Sequence, residues 1–194
     1  SPPIAHLERL QATDQWQTLW RHPLVNTTAP VDTLVTDDGR YVVTLDNWGR
    51  MGWGDDVVVI YDERGDRLHQ FGIDRLLPPL LITHLPRSVS SLSWRAGQSL
   101  AGPGQTLEIT VRAPRSAPSR SDRTATIHLD LASGKPSWPG HFFWLRMLST
   151  AAMLELDRLE DWKALRHRRS QPLTMPATQD ANAWHAYADE LLAR

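Results

Sequence analysis

The stretch Val35-Thr36-Asp37-Asp38-Gly39-Arg40-Tyr41-Val42-Val43-Thr44-Leu45 decides the fold, read together with Val57-Val58-Val59-Ile60-Tyr61 and Arg67-Leu68-His69-Gln70-Phe71. Asp37-Asp38-Gly39 is a hairpin turn signal, because Asp bonds to its own backbone in turns and Gly supplies positive φ. The flanking runs are short and rich in β-branched residues, which favours strands over helix. Residues 57–61 are continuously apolar, as a strand buried on both faces requires. Asp62-Glu63-Arg64-Gly65-Asp66 is a second turn. Strands over 32–36, 41–45, 57–61 and 67–71 then form a four-stranded antiparallel meander.

Upstream of this meander, the spacing of Leu7 and Leu10 predicts a short helix over 5–15, and the alternation over 16–20 predicts a short extended arm. Pro23 and Pro30 bracket an irregular link. Downstream, Asp74 is placed to cap a short helix ending at Pro78-Pro79. Residues 88–94 read as a strand, and the Gly/Pro/Ser-rich residues 96–105 as a loop. Residues 106–112 alternate apolar and polar, with Leu107, Ile109 and Val111 on one face. Residues 124–131 repeat the pattern with Ala125, Ile127, Leu129 and Leu131. The Pro/Ser/Arg-rich residues 113–123 join them as a hairpin loop.

From 142 to 168 the period becomes helical. Leu145, Leu148, Ala152, Leu156, Leu159 and Trp162 recur at steps of three and four. Glu155, Arg158 and Asp161 can pair along the exposed side. Arg166, His167, Arg168 and Arg169 suit a helix C-terminus, where the macrodipole favours cations. Asp180 is placed to cap a last helix with Trp184, Tyr187, Ala188 and Leu191 on its apolar face. Strands followed by helices, with no βαβ alternation, predict an α+β fold that is mainly β. The expected organisation is one domain over 1–194. Antiparallel meander sheets, blade-like or sandwich, occupy 16–138, and helices packed against them occupy 139–194.

Composition bounds the function. A chain of 194 residues with 41% hydrophobic residues can build its own core. With no cysteine it has no disulfide, thiolate–zinc site or cysteine nucleophile. A formal net charge of −1 supplies no strong field for nucleic acid or an anionic membrane. The most apolar window, residues 142–154, is too short to span a bilayer and carries Arg146. The opening Ser1-Pro2-Pro3 suits a mature exported protein, so the expected compartment is the periplasm or cell envelope, with the cytoplasm as the alternative. Nine Trp against three Tyr and three Phe is an unusual balance, and surplus Trp marks contact surfaces as well as cores.

The run from Val35 to Thr44, with Val58-Val59-Ile60-Tyr61-Asp62 and Gly65, resembles a blade of a β-propeller. It covers about one fifth of the chain, and one or two blades cannot close a propeller, which needs about four. This piece, with the Trp/Gly loop and Ser88-Val89-Ser90-Ser91, is also similar to uncharacterised bacterial proteins of the cell envelope. That resemblance implies no activity.

The loop from Asp46 to Asp56 concentrates the unusual chemistry: two Trp, three Gly and three Asp within eleven residues. Read as a ligand or partner loop, Trp48 and Trp53 are its stacking surfaces and Asp46, Asn47, Asp55 and Asp56 its polar contacts, with Trp94 as a further aromatic candidate. The competing reading is a wide bulged hairpin whose Trp side chains fold back onto the core. Calcium is a third reading, but the EF-hand spacing is absent. The eight His make no H-x-x-x-H or H-E-x-x-H spacing, so no helical zinc site is expected. His128 alternates with core residues and belongs on the open face of its strand. There is no G-x-S-x-G elbow, and Gly134-Lys135-Pro136 lacks the elements of a P-loop. Asp37-Asp38 and Asp55-Asp56 sit in turns and do not face each other across a cleft. Arg112, Arg115, Arg120 and Arg123 lack interleaved aromatics, so a solvated hairpin tip accounts for them better than a nucleic-acid site.

The expected function is therefore a non-enzymatic binding module with a protein partner and no cofactor, in the bacterial envelope. An immunity-type toxin inhibitor is one possible case. The alternatives are a hydrolase acting on glycan or peptide through Asp55, Asp56 or His141, and a structural module of a larger assembly.

Overall fold

The computed structural model describes residues 2–102, 105–114, 124–170, 175 and 180–192. They form two compact units, residues 1–151 and 152–194.

The first unit is built from three antiparallel sheets. The meander is β3 (Pro30–Val35), β4 (Val42–Asn47), β5 (Val58–Tyr61) and β6 (Arg67–Phe71), hydrogen-bonded in that order. Its turns form for local reasons. Thr36 Oγ1 donates to Asp38 Oδ1 at 2.6 Å and Arg40 N donates to the same oxygen at 3.0 Å. The Thr36 hydroxyl, then the Arg40 amide, hold this carboxyl below its ordinary range. At the next turn Asp62 Oδ1 accepts from Arg64 N and Asp66 N, both at 2.9 Å.

All six residues of β4 and all four of β5 are buried. The alternation explains why the Val and Ile side chains of both strands are buried on two faces, while Thr44, Asp46 and Asn47 of β4 are buried polar groups. Val43, Leu45, Val58 and Ile60 enter the main core, while Val42, Val59 and Tyr61 form a second cluster with Trp20 and Leu24. That back face is covered by a hairpin, β1 (Ile4–Leu10) and β2 (Trp16–Pro23). The helix expected over 5–15 is therefore a strand and its turn. Ala5 and Leu7 follow period two rather than three or four, and both pack on the second cluster. Leu7 pairs with Trp20, and Asp14 takes φ 55° in the turn, so helix cannot propagate through it.

The other four-stranded sheet has the order β10 (Pro136–Ser137), β9 (Ala125–Asp130), β8 (Thr106–Val111), β7 (Arg95–Ala101). Strands β8 and β9 alternate as their sequences require, and Leu107, Ile109, Val111, Ala125, Ile127 and Leu129 enter the main core. His128 lies on the other face beside Glu108, 3.2 Å away. Strand β7 corrects two expectations. Residues 88–94 close a turn, with Ser88 N donating to Ser91 O at 2.8 Å and a single bridge from Arg87 to Leu92. The strand comes after it, over residues expected to be loop. As an edge strand β7 pairs only with β8, and its register shift between Arg95 and Gly97 leaves Ala96 without a partner, while Gly97 pairs with Thr110. The link 113–123 lies outside the described residues from 115 onward.

Asp74 does not cap a helix; it sits inside a 3-10 turn, Ile73–Arg75, whose N-cap is Gly72. Pro78-Pro79 opens a helix rather than ending one: α1 (Pro79–His84) carries Pro at its first turn, where no amide is needed. Helix α2 (His141–Ser170) enters the main core through Trp144, Met147 and Ala151. That buried line is one position away from the expected face, and Leu145 is exposed.

In the second unit, α2 continues from residue 152 with Leu156, Leu159, Trp162 and Leu165 exposed. Helix α3 (Ala181–Leu192) starts at Asp180, whose Oδ1 accepts from Asn182 N at 3.0 Å. Trp184 and Tyr187 meet edge to face at 5.8 Å. No helix is long and apolar enough, over the described residues, to cross a membrane.

A candidate binding loop braced by buried acids

The connection from β4 to β5 is held from beneath. Asp46, near the end of β4, takes φ 57°, a conformation Asp tolerates better than most residues. Its carboxylate is fully buried. Oδ1 accepts from Gly52 N at 2.7 Å and from Trp94 Nε1 at 2.9 Å, and Oδ2 accepts from Arg95 Nε at 2.6 Å. Three donors, one of them charged, compensate a desolvation that an unpaired carboxylate would not survive. Arg95 also reaches Asp32 Oδ2 on β3 and Gln98 Oε1 on β7, both at 2.5 Å. The guanidinium thus ties the edges of the two large sheets to the root of the loop.

Gly52 is dictated by this packing. Its φ is 72°, and a Cβ there would lie 2.9 Å from Leu92 Cβ and 3.0 Å from Leu92 O. Leu92 N donates to Met51 O at 2.8 Å on the same side.

A second brace lies at the other root. Asn47 Oδ1 accepts from Asn26 Nδ2 and Thr28 N, both at 3.4 Å, and Asn26 Nδ2 also donates to Asp56 O at 3.3 Å. Asp56 Oδ2 accepts from Thr27 N at 2.9 Å. Asn26 Oδ1 accepts from Thr44 Oγ1 at 2.9 Å and from Tyr61 Oη at 3.4 Å. Tyr61 Oη in turn accepts from Val25 N at 3.1 Å. Burial, above all, pushes the Tyr61 phenol up from its ordinary value of 10.0.

The expected site residues therefore divide. Asp46, Asn47, Asp56 and Trp94 are buried and engaged within the fold. Trp48, Trp53 and Asp55 face outward. Trp48 is 73% exposed and Trp53 39% exposed. The backbone of Trp48 is pinned on both sides, its N–H donating to Ala29 O at 2.9 Å and its carbonyl accepting from Thr28 Oγ1 at 3.1 Å. Trp53 N donates to Arg50 O at 3.1 Å. Asp55 lines a polar groove of about 530 Å³ with Arg67, His69, Asp74 and Arg75; Asp56 and His141 are not part of it. His69 Nε2 lies 2.9 Å from Ala132 O. Among the described residues no group of three or more His, Asp or Glu could hold a metal ion.

Asn26, Thr27, Thr28, Asp32, Gly52 and Arg95 escaped the sequence reading of the loop. Each acts across 19 or more residues, apart from Gly52, as the separation of Thr28 from Asn47 illustrates. No local motif marks such a partner. Comparison with known proteins gives no matching family model, no matching curated protein and no matching solved structure.

Proposed function

We propose that this protein is a non-enzymatic binding module whose partner is another protein, met through Trp48 and Trp53. One observation carries the reading: two large aromatics are exposed on a loop whose backbone is held by hydrogen bonds, a buried one from Gly52 N to Asp46 and an exposed one from Thr28 Oγ1 to the Trp48 carbonyl. Trp dominates the energetics of protein interfaces, since a buried indole supplies large apolar area and an N–H donor. A loop already held in shape loses little entropy when it is covered. Asp55, beside the charged groove, supplies a polar rim. The compartment that goes with this reading is the bacterial cell envelope, and a toxin inhibitor of the immunity type is one case it covers.

A second reading, a hydrolase acting on glycan or peptide, draws support from the groove that brings Asp55, Asp74 and His69 into one lining. The binding reading is preferred because the His69 ring already contacts the Ala132 carbonyl.

Affinity capture from a native-host lysate, envelope fraction included, tests the proposal with the wild type and a Trp48→Ala/Trp53→Ala variant side by side. A stoichiometric protein retained by the wild type and lost from the variant supports it. Equal retention removes the loop from the interface. No stoichiometric protein, together with turnover of a glycan or peptide that Asp55→Asn abolishes, replaces it with the hydrolase reading.

A further inference from the structure

Strand β6 is the outer strand of its sheet and pairs only with β5. Every second residue of such a strand turns its N–H and C=O outward. Among the described residues, no backbone beyond β5 and its flanks bonds to residues 67–71. The other edges of the two four-stranded sheets are blunted. Strands β3 and β7 are joined through the Asp32–Arg95 ion pair at 2.5 Å, and β10 is two residues long and begins with Pro136. Strand β6 holds no proline, and a groove of about 530 Å³ runs along it, lined by all six residues from Arg67 to Gly72.

This groove meets a second one. Asp74 and Arg75 line both, and beyond them an apolar groove of about 430 Å³ is walled by Leu76, Leu77, Pro79, Trp138, Trp144 and Leu148. The Trp138 indole is fixed there, its Nε1 donating to Leu76 O at 3.1 Å. Charge differs between the two ends of β6. A Cβ on Gly72 would lie 2.6 Å from Asp74 Oδ1 and 3.6 Å from Asp55 Cα, so two carboxylates stand at that end against one guanidinium, Arg75. Arg67 alone marks the other end. Among the described residues none of these four side chains is in an ion pair.

We infer that β6 accepts a fifth strand from a protein partner. The segment is extended and antiparallel to β6, like every strand pair among the described residues. It carries a large apolar residue first, a basic residue next and an acidic residue about four positions further on, the length of β6. Its backbone pairs with the outward groups of β6. Its apolar side chain enters the groove at Trp138, its cation faces Asp55 and Asp74, and its carboxylate faces Arg67. Because β6 runs from Arg67 toward the apolar groove, antiparallel addition is what puts the apolar residue first. Main-chain bonds supply the affinity and the end contacts the specificity. Trp48 and Trp53 line neither groove, so this site does not depend on the reading of the loop.

Fluorescence anisotropy of a dye-labelled, acetylated seven-residue peptide titrated with the full chain tests this. The peptide has leucine first, lysine second, glutamate sixth, and valine and threonine elsewhere. It binds with a dissociation constant below about 1 mM. N-methylation of one alternate set of its amides abolishes binding, and methylation of the other set leaves it within about threefold, because only one set faces the sheet. Alanine in place of the leading leucine weakens binding at least about fivefold. Arg67→Glu, at an exposed position, weakens binding of this peptide, and a peptide with lysine in place of its glutamate restores it. Circular dichroism checks that the variant folds. Trp48→Ala/Trp53→Ala binds the peptide as the wild type does. No binding up to about 1 mM overturns the inference. So does an equal effect of the two methylation patterns.

Discussion

Asp46 concentrates more of the structure in one side chain than any other residue of the loop. Its two oxygens receive the Gly52 amide, the Trp94 indole and the Arg95 guanidinium, with no exposure to solvent. Removing the carboxylate strands the buried Gly52 amide and Trp94 indole and leaves Arg95 with Asp32 and Gln98 alone, at a cost of about 3–5 kcal/mol. Asp46→Ala therefore lowers the unfolding free energy by about that amount in a denaturant titration. A loss below about 1 kcal/mol would mean that the Gly52 amide and Trp94 indole find other acceptors. Tyr61 gives a pH-dependent counterpart. Burial raises its phenol pKa, so the folded state holds the proton more tightly than the unfolded chain does. The stability this gives is full below the unfolded value of 10.0 and is lost as pH rises through the folded value. Tyr61→Phe strands the Val25 amide and costs about 1–3 kcal/mol at neutral pH, and it also flattens the fall in stability above pH 10. An unchanged alkaline limb in the variant would assign that fall to other groups. Asp46 was legible as an acid in an unusual loop. Its role was not, because Trp94 and Arg95 stand 48 and 49 residues away and no spacing rule reaches so far.

Among the elements, those with strong local signals were read correctly and those shaped by a distant neighbour were not. Strands β3 to β6 have tight acidic turns and runs of Val and Ile, and β8 and β9 alternate cleanly. Strand β1 has neither, and its two leucines three apart imitate a helix. What makes it a strand is the back face of the meander, where Val42, Val59 and Tyr61 need a cover. Strand β7 lacks β-branched residues and is a strand only because β8 offers an edge. The cover can be tested at its contact with the β5–β6 turn. Gly65 has φ 83°, and a Cβ there would sit 2.9 Å from the Trp20 ring. Gly65→Ala adds a steric clash to a left-handed backbone and destabilises by about 1–3 kcal/mol. Trp20→Ala opens the second cluster and costs about 3–5 kcal/mol. Heat denaturation followed by near-ultraviolet circular dichroism reads both, and a neutral Trp20→Ala would show that the hairpin contributes nothing to the stability of the sheet.

At the scale of the whole molecule, the α+β class and the change from strands to helices were legible because hydrophobic period changes sharply near residue 142. The divide at residue 151 was not, since α2 runs through it without a break. Along this one helix, Trp144, Met147 and Ala151 are buried, while the side chains from Leu156 to Trp162 are exposed. Local opening follows burial. Amides of residues 144–151 therefore exchange with deuterium slowly, and those of 156–170 faster by at least about tenfold. Uniform protection along α2 would contradict that picture. The central claim concerns the other unit: a braced loop that presents Trp48 and Trp53 to a protein. It is tested most directly by titrating the captured partner into wild type and Trp53→Ala, with thermal midpoints measured alongside. The account predicts an affinity weakened by about 10- to 100-fold, as for an interface hot spot, with an unchanged midpoint. Equal affinities would contradict it.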